Sequence, residues 1–467
     1  MGSAGRGVAG WDRIEAIFGD EQIYAIGALI PDPPVEHGGR PRHYPHFMTI
    51  AWLALLGVFR SSRQLDADLG HPELWALVRR LVQQRFPDNP DMWLREEPMR
   101  RHHFLHARKA LVEQATQRGL LDEFEAHASR IARELGLCDP DGAGSLTHPC
   151  AERMVTGDGK VVTPLYKAKP GDCTLDETTG QLRELRADPD AKLHITGSGE
   201  PAYGNKFLLV AARSDQVHGR VILAVDQVRE AGAEAAVAVA AISRVAARLP
   251  GTQGVLYDGA LRGVHLQRLL HQTGILPIVP VHAATGGRKR RKPRTERRVR
   301  VDAQLLRRGD DTTARLQLYS EAGTLCAATL DDQGELILLP LGRRQIMRRR
   351  NADGTWRWYQ EYDVPPEVGG GTIMVRLDTT DEDRKRRFNR TEHVRPIPPG
   401  DADYKPLYGR RADIESINRG LDDTLYLTRA HSVGSARQTL DLLGYAIMVN
   451  AYARTTTQPV RRRTYAA

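Results

Sequence analysis

Thr156-Gly-Asp158-Gly-Lys160 and Val255-Leu-Tyr-Asp258-Gly are the two stretches on which the reading of this chain turns. Residues 153–162 alternate in polarity enough for a strand that carries Asp158, and residues 254–258 are a short apolar strand ending in Asp258. Between them lie two apolar runs, 206–212 and 220–228, separated by Ser214-Asp-Gln-Val-His-Gly219, which is a hairpin signal. An alanine-rich helix over 231–249 is stopped by Pro250-Gly251, a second helix covers 261–272, and a further strand covers 275–281.

The resulting order, β, β, β, α, β, α, β, predicts an α/β fold with a ribonuclease-H-like mixed sheet. In such a sheet the first and fourth strands are neighbours, so Asp158 and Asp258 converge although 100 residues separate them. A third acid follows in Tyr408-Gly-Arg-Arg411-Ala-Asp-Ile-Glu415. On one helix, Arg411 and Glu415 are four apart and share a face. Three acids brought together suit phosphodiester chemistry, in which two divalent ions roughly 4 Å apart serve the attacking and leaving oxygens. Magnesium takes hard oxygen ligands and keeps water, so a few carboxylates plus a substrate phosphate suffice. Arg411 would then hold a phosphate beside the metal while Glu415 binds it. The competing reading is a surface Arg–Glu pair worth a few tenths of a kcal/mol. Acids are common in this chain, so a set of three gains meaning only from its placement on these elements.

Outward from this core, four segments differ in character. Residues 1–150 read as an all-helical N-terminal domain. Three short helices bearing Arg60, Arg63, Arg79 and Arg80 predict a helix-turn-helix-like DNA-binding unit, with plain helical packing as the alternative. Residues 151–285 form the first part of the catalytic domain, in which 164–203 reads as a long connection. Residues 286–400 read as a basic β-rich insertion. It opens on Arg288, Lys289, Arg290, Arg291 and Lys292, and short alternating segments follow at 299–306, 314–319, 324–330, 336–340, 356–362 and 372–377. Residues 401–467 return to helix and end in a basic tail around Arg461-Arg-Arg463.

The chain has 467 residues and a formal charge of +9, which favours an acidic partner such as nucleic acid. Its longest apolar runs, 48–59 and 440–453, are shorter than a membrane span, and the first residues lack the apolar core of a secretion signal. No membrane partner is therefore expected, and a cytoplasmic location is. Cysteines at 138, 150, 173 and 326 are too scattered for a disulfide framework. Cys138, His148 and Cys150 lack the paired Cys-x-x-Cys of a zinc knuckle, so zinc is set aside.

On Thr156-Gly-Asp158-Gly-Lys160, Val255-Leu-Tyr-Asp258-Gly and the Tyr408, Arg411, Glu415 segment, the chain resembles the DDE transposases of bacterial insertion sequences, in the branch with a β-rich insertion before the glutamate. The resemblance runs from about 150 to 455. It implies Asp158, Asp258 and Glu415 as catalytic metal ligands for two Mg2+ ions, with Mn2+ able to substitute. It also implies hydrolysis at transposon ends and strand transfer into target DNA by a homodimer or higher synaptic assembly on the nucleoid. The N-terminal helices would bind double-stranded DNA carrying terminal inverted repeats. Tyr408, Arg411, Arg419, the basic run 288–292, Trp356 and Trp358 would contact DNA, a tryptophan of the insertion stacking on a flipped base. The further runs Arg343-Arg344, Arg348–Arg350 and Arg384–Arg387 fit neutralisation of backbone phosphates. That branch carries a lysine seven positions after the glutamate, where this chain has Asp422; Arg419 or Arg429 would supply the charge instead. Two alternatives stay open: a catalytically silent transposase-derived DNA-binding protein, and a structure-selective DNA nuclease of the same fold.

Overall fold

The computed structural model of the chain describes residues 10–31, 43–195, 200–281, 298–307, 313–426 and 429–457. The chain opens on helices α1 (Gly10–Gly19), α2 (Gln22–Ala28), α3 (His46–Phe59), α4 (Ser62–Leu69), α5 (Pro72–Arg85), α6 (Arg101–Leu111) and α7 (Gln114–Glu134). Strands β1 (Met154–Val162), β2 (Cys173–Leu175), β3 (Leu182–Glu184), β4 (Lys192–Ile195), β5 (Pro201–Arg213) and β6 (Arg220–Val228) follow. Next come α8 (Glu234–Arg248), β7 (Gly254–Leu256), α9 (Val264–Thr273) and β8 (Leu276–Ile278). The basic segment contributes β9 (Val299–Arg307), β10 (Thr313–Glu321), β11 (Thr324–Leu330), β12 (Leu336–Pro340), β13 (Gly342–Arg350), β14 (Trp356–Asp363) and β15 (Thr372–Arg376). The chain then returns to helix in α10 (Asp381–Lys385), α11 (Arg390–His393), α12 (Tyr404–Gly409), α13 (Ala412–Leu421) and α14 (Ser435–Thr457), with a π-helical turn over Asp422–Tyr426. Among the described residues no helix is long and apolar enough to cross a membrane.

The fold is mixed α/β and forms two compact units. The first gathers residues 1–137, 159–232 and 413–467; the second gathers 138–158 and 233–412. Strand β1 passes from one to the other.

The first unit is built on α3, whose residues Phe47 through Gly57 are all buried. A helix apolar on every side has to be enclosed, and α14 encloses it. The two lie so close that a Cβ on Gly444 would come within 2.4 Å of the Leu53 backbone. The expected separate N-terminal helical domain is therefore not what forms. Those helices share a core with β6 and α14, because α3 has no polar face to give to solvent. Only the rims of the proposed DNA-binding helices are open: Arg60, Arg63 and Arg80 are exposed, while Arg79 is half-buried and its Nε donates to the Leu94 carbonyl.

Strand β5 pairs antiparallel with β4 along 201–204 and with β6 along 206–213. On the far side of β6 the buried Asn450 side chain meets Ile222, donating to its carbonyl at 2.9 Å and accepting from its amide at 2.7 Å. An exposed strand edge is thus closed by a side-chain amide. The connection 164–203, read as irregular, carries the β2–β3 hairpin and β4. Its turn places buried Asp188 and exposed Asp190 at the start of α14. There Asp188 accepts from Gly434 N and Gln438 Nε2, and Asp190 from the Ser435 amide and hydroxyl. Carboxylates at a helix N-terminus satisfy its orphan donors and complement its dipole.

In the second unit the first half of β1 pairs in parallel with β7, and β7 in parallel with β8. Helix α9 makes the crossover that parallel strands require between β7 and β8. The basic segment forms two antiparallel sheets, β12-β11-β10-β9 and β13-β14-β15. It is no free-standing module: Leu256, Leu276 and Ile278 share one core with Leu318, Leu325, Trp358 and Val375.

Replacing Gly444 with alanine forces a methyl group into the Leu53 backbone. Gly444→Ala is expected to destabilise the chain by about 1–3 kcal/mol, read as a lower urea midpoint with an unchanged slope.

Candidate functional site

Met154, Val155 and Thr156 of β1 lie opposite Gly254, Val255 and Leu256 of β7. Asp158 stands two residues beyond Thr156 and Asp258 two beyond Leu256, each past the paired stretch. Both are half-buried. Past β7 the chain turns sharply: the Ala260 amide donates to Asp258 Oδ1 at 2.9 Å and the Leu261 amide to its carbonyl at 3.3 Å. These bonds hold the Asp258 carboxylate in one orientation.

Beneath the pair sits Tyr257, fully buried, its hydroxyl donating to Glu234 Oε1 at 2.9 Å. Burial drives its ionisation far above the ordinary phenol range. Glu234 adds to this most strongly, and the charges of Asp258 and Asp158 push the same way. Both aspartates thus bear on one phenol from a short distance, and at neutral pH Tyr257 is a fixed hydrogen-bond donor.

Arg411 brings its Nη2 to 3.8 Å from Asp158 Oδ1. It does not stand on a continuous helix with Tyr408 and Glu415, contrary to expectation. Helix α12 ends at Gly409, the amides of Arg410 and Arg411 close tight turns onto Leu407 and Tyr408, and α13 begins only at Ala412. Glycine at the junction, poor in helix propensity, accounts for the break. Tyr408 stacks on Tyr404 with ring centroids 5.1 Å apart. Glu415 is exposed in the first turn of α13 and belongs to the first unit, whereas Asp158, Asp258 and Arg411 belong to the second. Among the described residues no cluster of three His, Cys, Asp or Glu side chains is arranged to hold a metal. His148 of the discarded zinc set turns instead to Asp403, at 2.8 Å.

The acid at position 422 has a partner that sequence spacing does not reveal. Lys160, two residues after Asp158, forms an ion pair with Asp422 inside the first unit. The pair borders a cleft of about 500 Å3 that is also lined by Thr163, Tyr426 and Arg429. A lysine therefore reaches the neighbourhood of position 422 from a strand, while Arg419 is 84% exposed and lies 3.7 Å from Asp423.

The tryptophans of the basic segment are structural. Trp358 is fully buried and donates its indole N–H to the Leu270 carbonyl at 2.9 Å, which leaves no ring face for a base. Trp356 is half-buried, with the Arg348 guanidinium over its ring at 4.4 Å. Several arginines read as phosphate contacts are engaged internally as well. Arg343 is 7% exposed and holds Asp401 at 2.7 Å and Asp403 at 2.5 Å, Arg386 holds Asp383, and Arg344 lies 3.5 Å from Glu361 and Asp363. Arg288, Lys289, Arg290, Arg291 and Lys292 lie outside the described residues.

Two measurements follow from these contacts. Trp358→Ala is expected to cost about 3–5 kcal/mol in urea unfolding, as a core residue does. For Lys160–Asp422, whose side chains are 24% and 43% exposed, a double-mutant cycle with Lys160→Met and Asp422→Asn should give a coupling below about 1 kcal/mol that shrinks as salt is added. No protein-family model matches the chain, and no curated protein matches it.

Proposed function

We propose that the chain is a DNA transposase of the DDE type, acting through a ribonuclease-H-like catalytic core. The observation that supports this reading is the parallel register of β1 against β7, Met154–Thr156 opposite Gly254–Leu256, with Asp158 and Asp258 each two residues past the paired stretch. The sheet runs β4-β5-β1-β7-β8 with β6 on β5, which supports a mixed α/β core. The donor set fits magnesium: two half-buried carboxylates offer hard oxygens, and magnesium is commonly held by one or two carboxylates together with substrate phosphates and water. Glu415 enters as the third ligand on the motif alone, four residues after Arg411.

Each residue has a task that its surroundings explain. Asp158 and Asp258 would hold the metal ions through their carboxylate oxygens. The Ala260 amide and the Tyr257–Glu234 bond keep the end of β7 from shifting, which preserves the ligand geometry. Arg411, beside Asp158, offers guanidinium N–H groups to a phosphate oxygen and limits repulsion between the two aspartates. When bound, magnesium supplies activation of the attacking oxygen and stabilisation of the leaving one.

The test is cleavage of DNA spanning the inverted repeats that flank the gene, with magnesium present. Asp158→Asn, Asp258→Asn and Glu415→Gln are each expected to lower the cleavage rate by about 10^3-fold or more, while DNA affinity and melting temperature stay close to the parent's. Variants that cut like the parent would remove the catalytic assignment. Cut ends without joined strand-transfer products would point to a nuclease instead.

A further inference from the structure

The first unit holds a second concavity, remote in character from the acidic pair. Arg13 of α1, His218 and Arg220 at the start of β6, Thr424, and Tyr445 and Tyr452 of α14 line a cavity of about 160 Å3 whose lining contains no acidic residue. Arg220 Nε and the Tyr452 hydroxyl are buried there without a hydrogen-bond partner. Among the described residues neither Arg13 nor Arg220 makes an ion pair; Asp413, whose charge reaches Arg220, is paired with Arg213, the cross-strand neighbour of Arg220, while the charge of Asp12 bears on Tyr452 and those of Asp422 and Asp423 on Tyr445. The Arg13 guanidinium carbon lies 5.8 Å from the Tyr452 ring centre, and the His218 ring meets the same tyrosine edge-on at 4.9 Å. Burial, followed by the charge of Arg213, pulls the Arg220 ionisation below its ordinary value, and burial followed by Arg220 and Arg13 does the same to His218.

Two arginines line this one small cavity, and the unsatisfied Arg220 Nε and Tyr452 hydroxyl are donors whose burial opposes folding unless an acceptor meets them. We propose that this cavity is an anion site that takes a single phosphate group. Arg13 and Arg220 are its forked donors, and the Tyr452 hydroxyl is a neutral one. Its volume of about 160 Å3 is below the roughly 300–1,000 Å3 of pockets for drug-sized ligands, so it suits a phosphate and attendant water rather than a whole nucleotide. A free phosphate ion and a backbone phosphate of bound nucleic acid present the same chemistry. The site stands independently of the transposase reading.

Thermal unfolding of the full chain in rising inorganic phosphate, against chloride at matched ionic strength, tests it. The parent's melting temperature should rise saturably with phosphate. Arg220→Gln should melt at or above the parent without phosphate, since it removes the unsatisfied Nε donor, and should bind phosphate about tenfold more weakly or worse. Arg13→Gln should behave alike, and Arg183→Gln, at an exposed arginine outside the cavity, should respond as the parent does. No phosphate-specific shift in the parent, or a full shift in both Arg13→Gln and Arg220→Gln, overturns the proposal. Duplex binding against salt then identifies the source. A log–log slope about one unit shallower in Arg220→Gln assigns a strand phosphate, and an unchanged slope assigns the free ion. A chain that binds no DNA yet keeps its phosphate response removes the transposase reading and leaves this site standing.

Discussion

The parallel pairing of β1 with β7 is the constraint on which the rest depends. Parallel neighbours cannot be joined by a tight turn, so the chain must leave β1 and return by a long excursion before β7 can be laid beside it. Everything between Val162 and Gly254 is that excursion, including β2 through β6 and α8. Once the register Thr156 to Leu256 is set, Asp158 and Asp258 each follow two residues past the paired stretch, Asp258 in the turn that closes on it. The Asp258 turn and the Tyr257–Glu234 bond only prevent slippage. A displacement by one residue would turn Asp258 to the opposite face of the sheet.

How much of this was legible depended on whether a residue's partner was near in sequence. Strands β1, β5, β6 and β7 and helices α8 and α9 announce themselves by periodicity and by stops such as Pro250-Gly251. Strand β13 does not. Its side chains include Arg343, Arg344, Arg348, Arg349 and Arg350, which read as a solvated basic run. They take up strand alternation only because Trp356, Asp401, Asp403 and Glu361 receive some of them, and those partners are tertiary. The same limit hid the Lys160–Asp422 pair, 262 residues apart. Within β14, alternation placed Trp356 and Trp358 on one face but could not tell whether that face met solvent or the core. The break at Gly409 was visible as a residue, yet the spacing from Tyr408 to Glu415 invited an unbroken helix.

Positive charge in the basic segment is divided between two uses. Arg343 and Arg390 each fork onto both oxygens of one carboxylate, half-buried Asp401 and buried Asp383, and Arg386 adds a single bond to Asp383. Arg349, Arg350, Arg384 and Arg387 sit outside such buried pairs, at positions open or partly open to solvent. The net charge of the chain therefore overstates what can meet a polyanion, and runs of arginine count for different things according to which face of a strand they occupy.

The enclosure of α3 by α14 has a consequence for biosynthesis. The two helices that complete one another stand near opposite ends of the chain, with nearly the whole polypeptide between them. Contacts so distant in sequence are slow to form because a long loop must close first. While the ribosome is still extending the chain, Phe47 through Gly57 have emerged but their cover has not. Until residues 435–457 have been made, α3 lacks its largest cover and is left with the partial shelter of α1 and α2, an apolar surface prone to stray contacts.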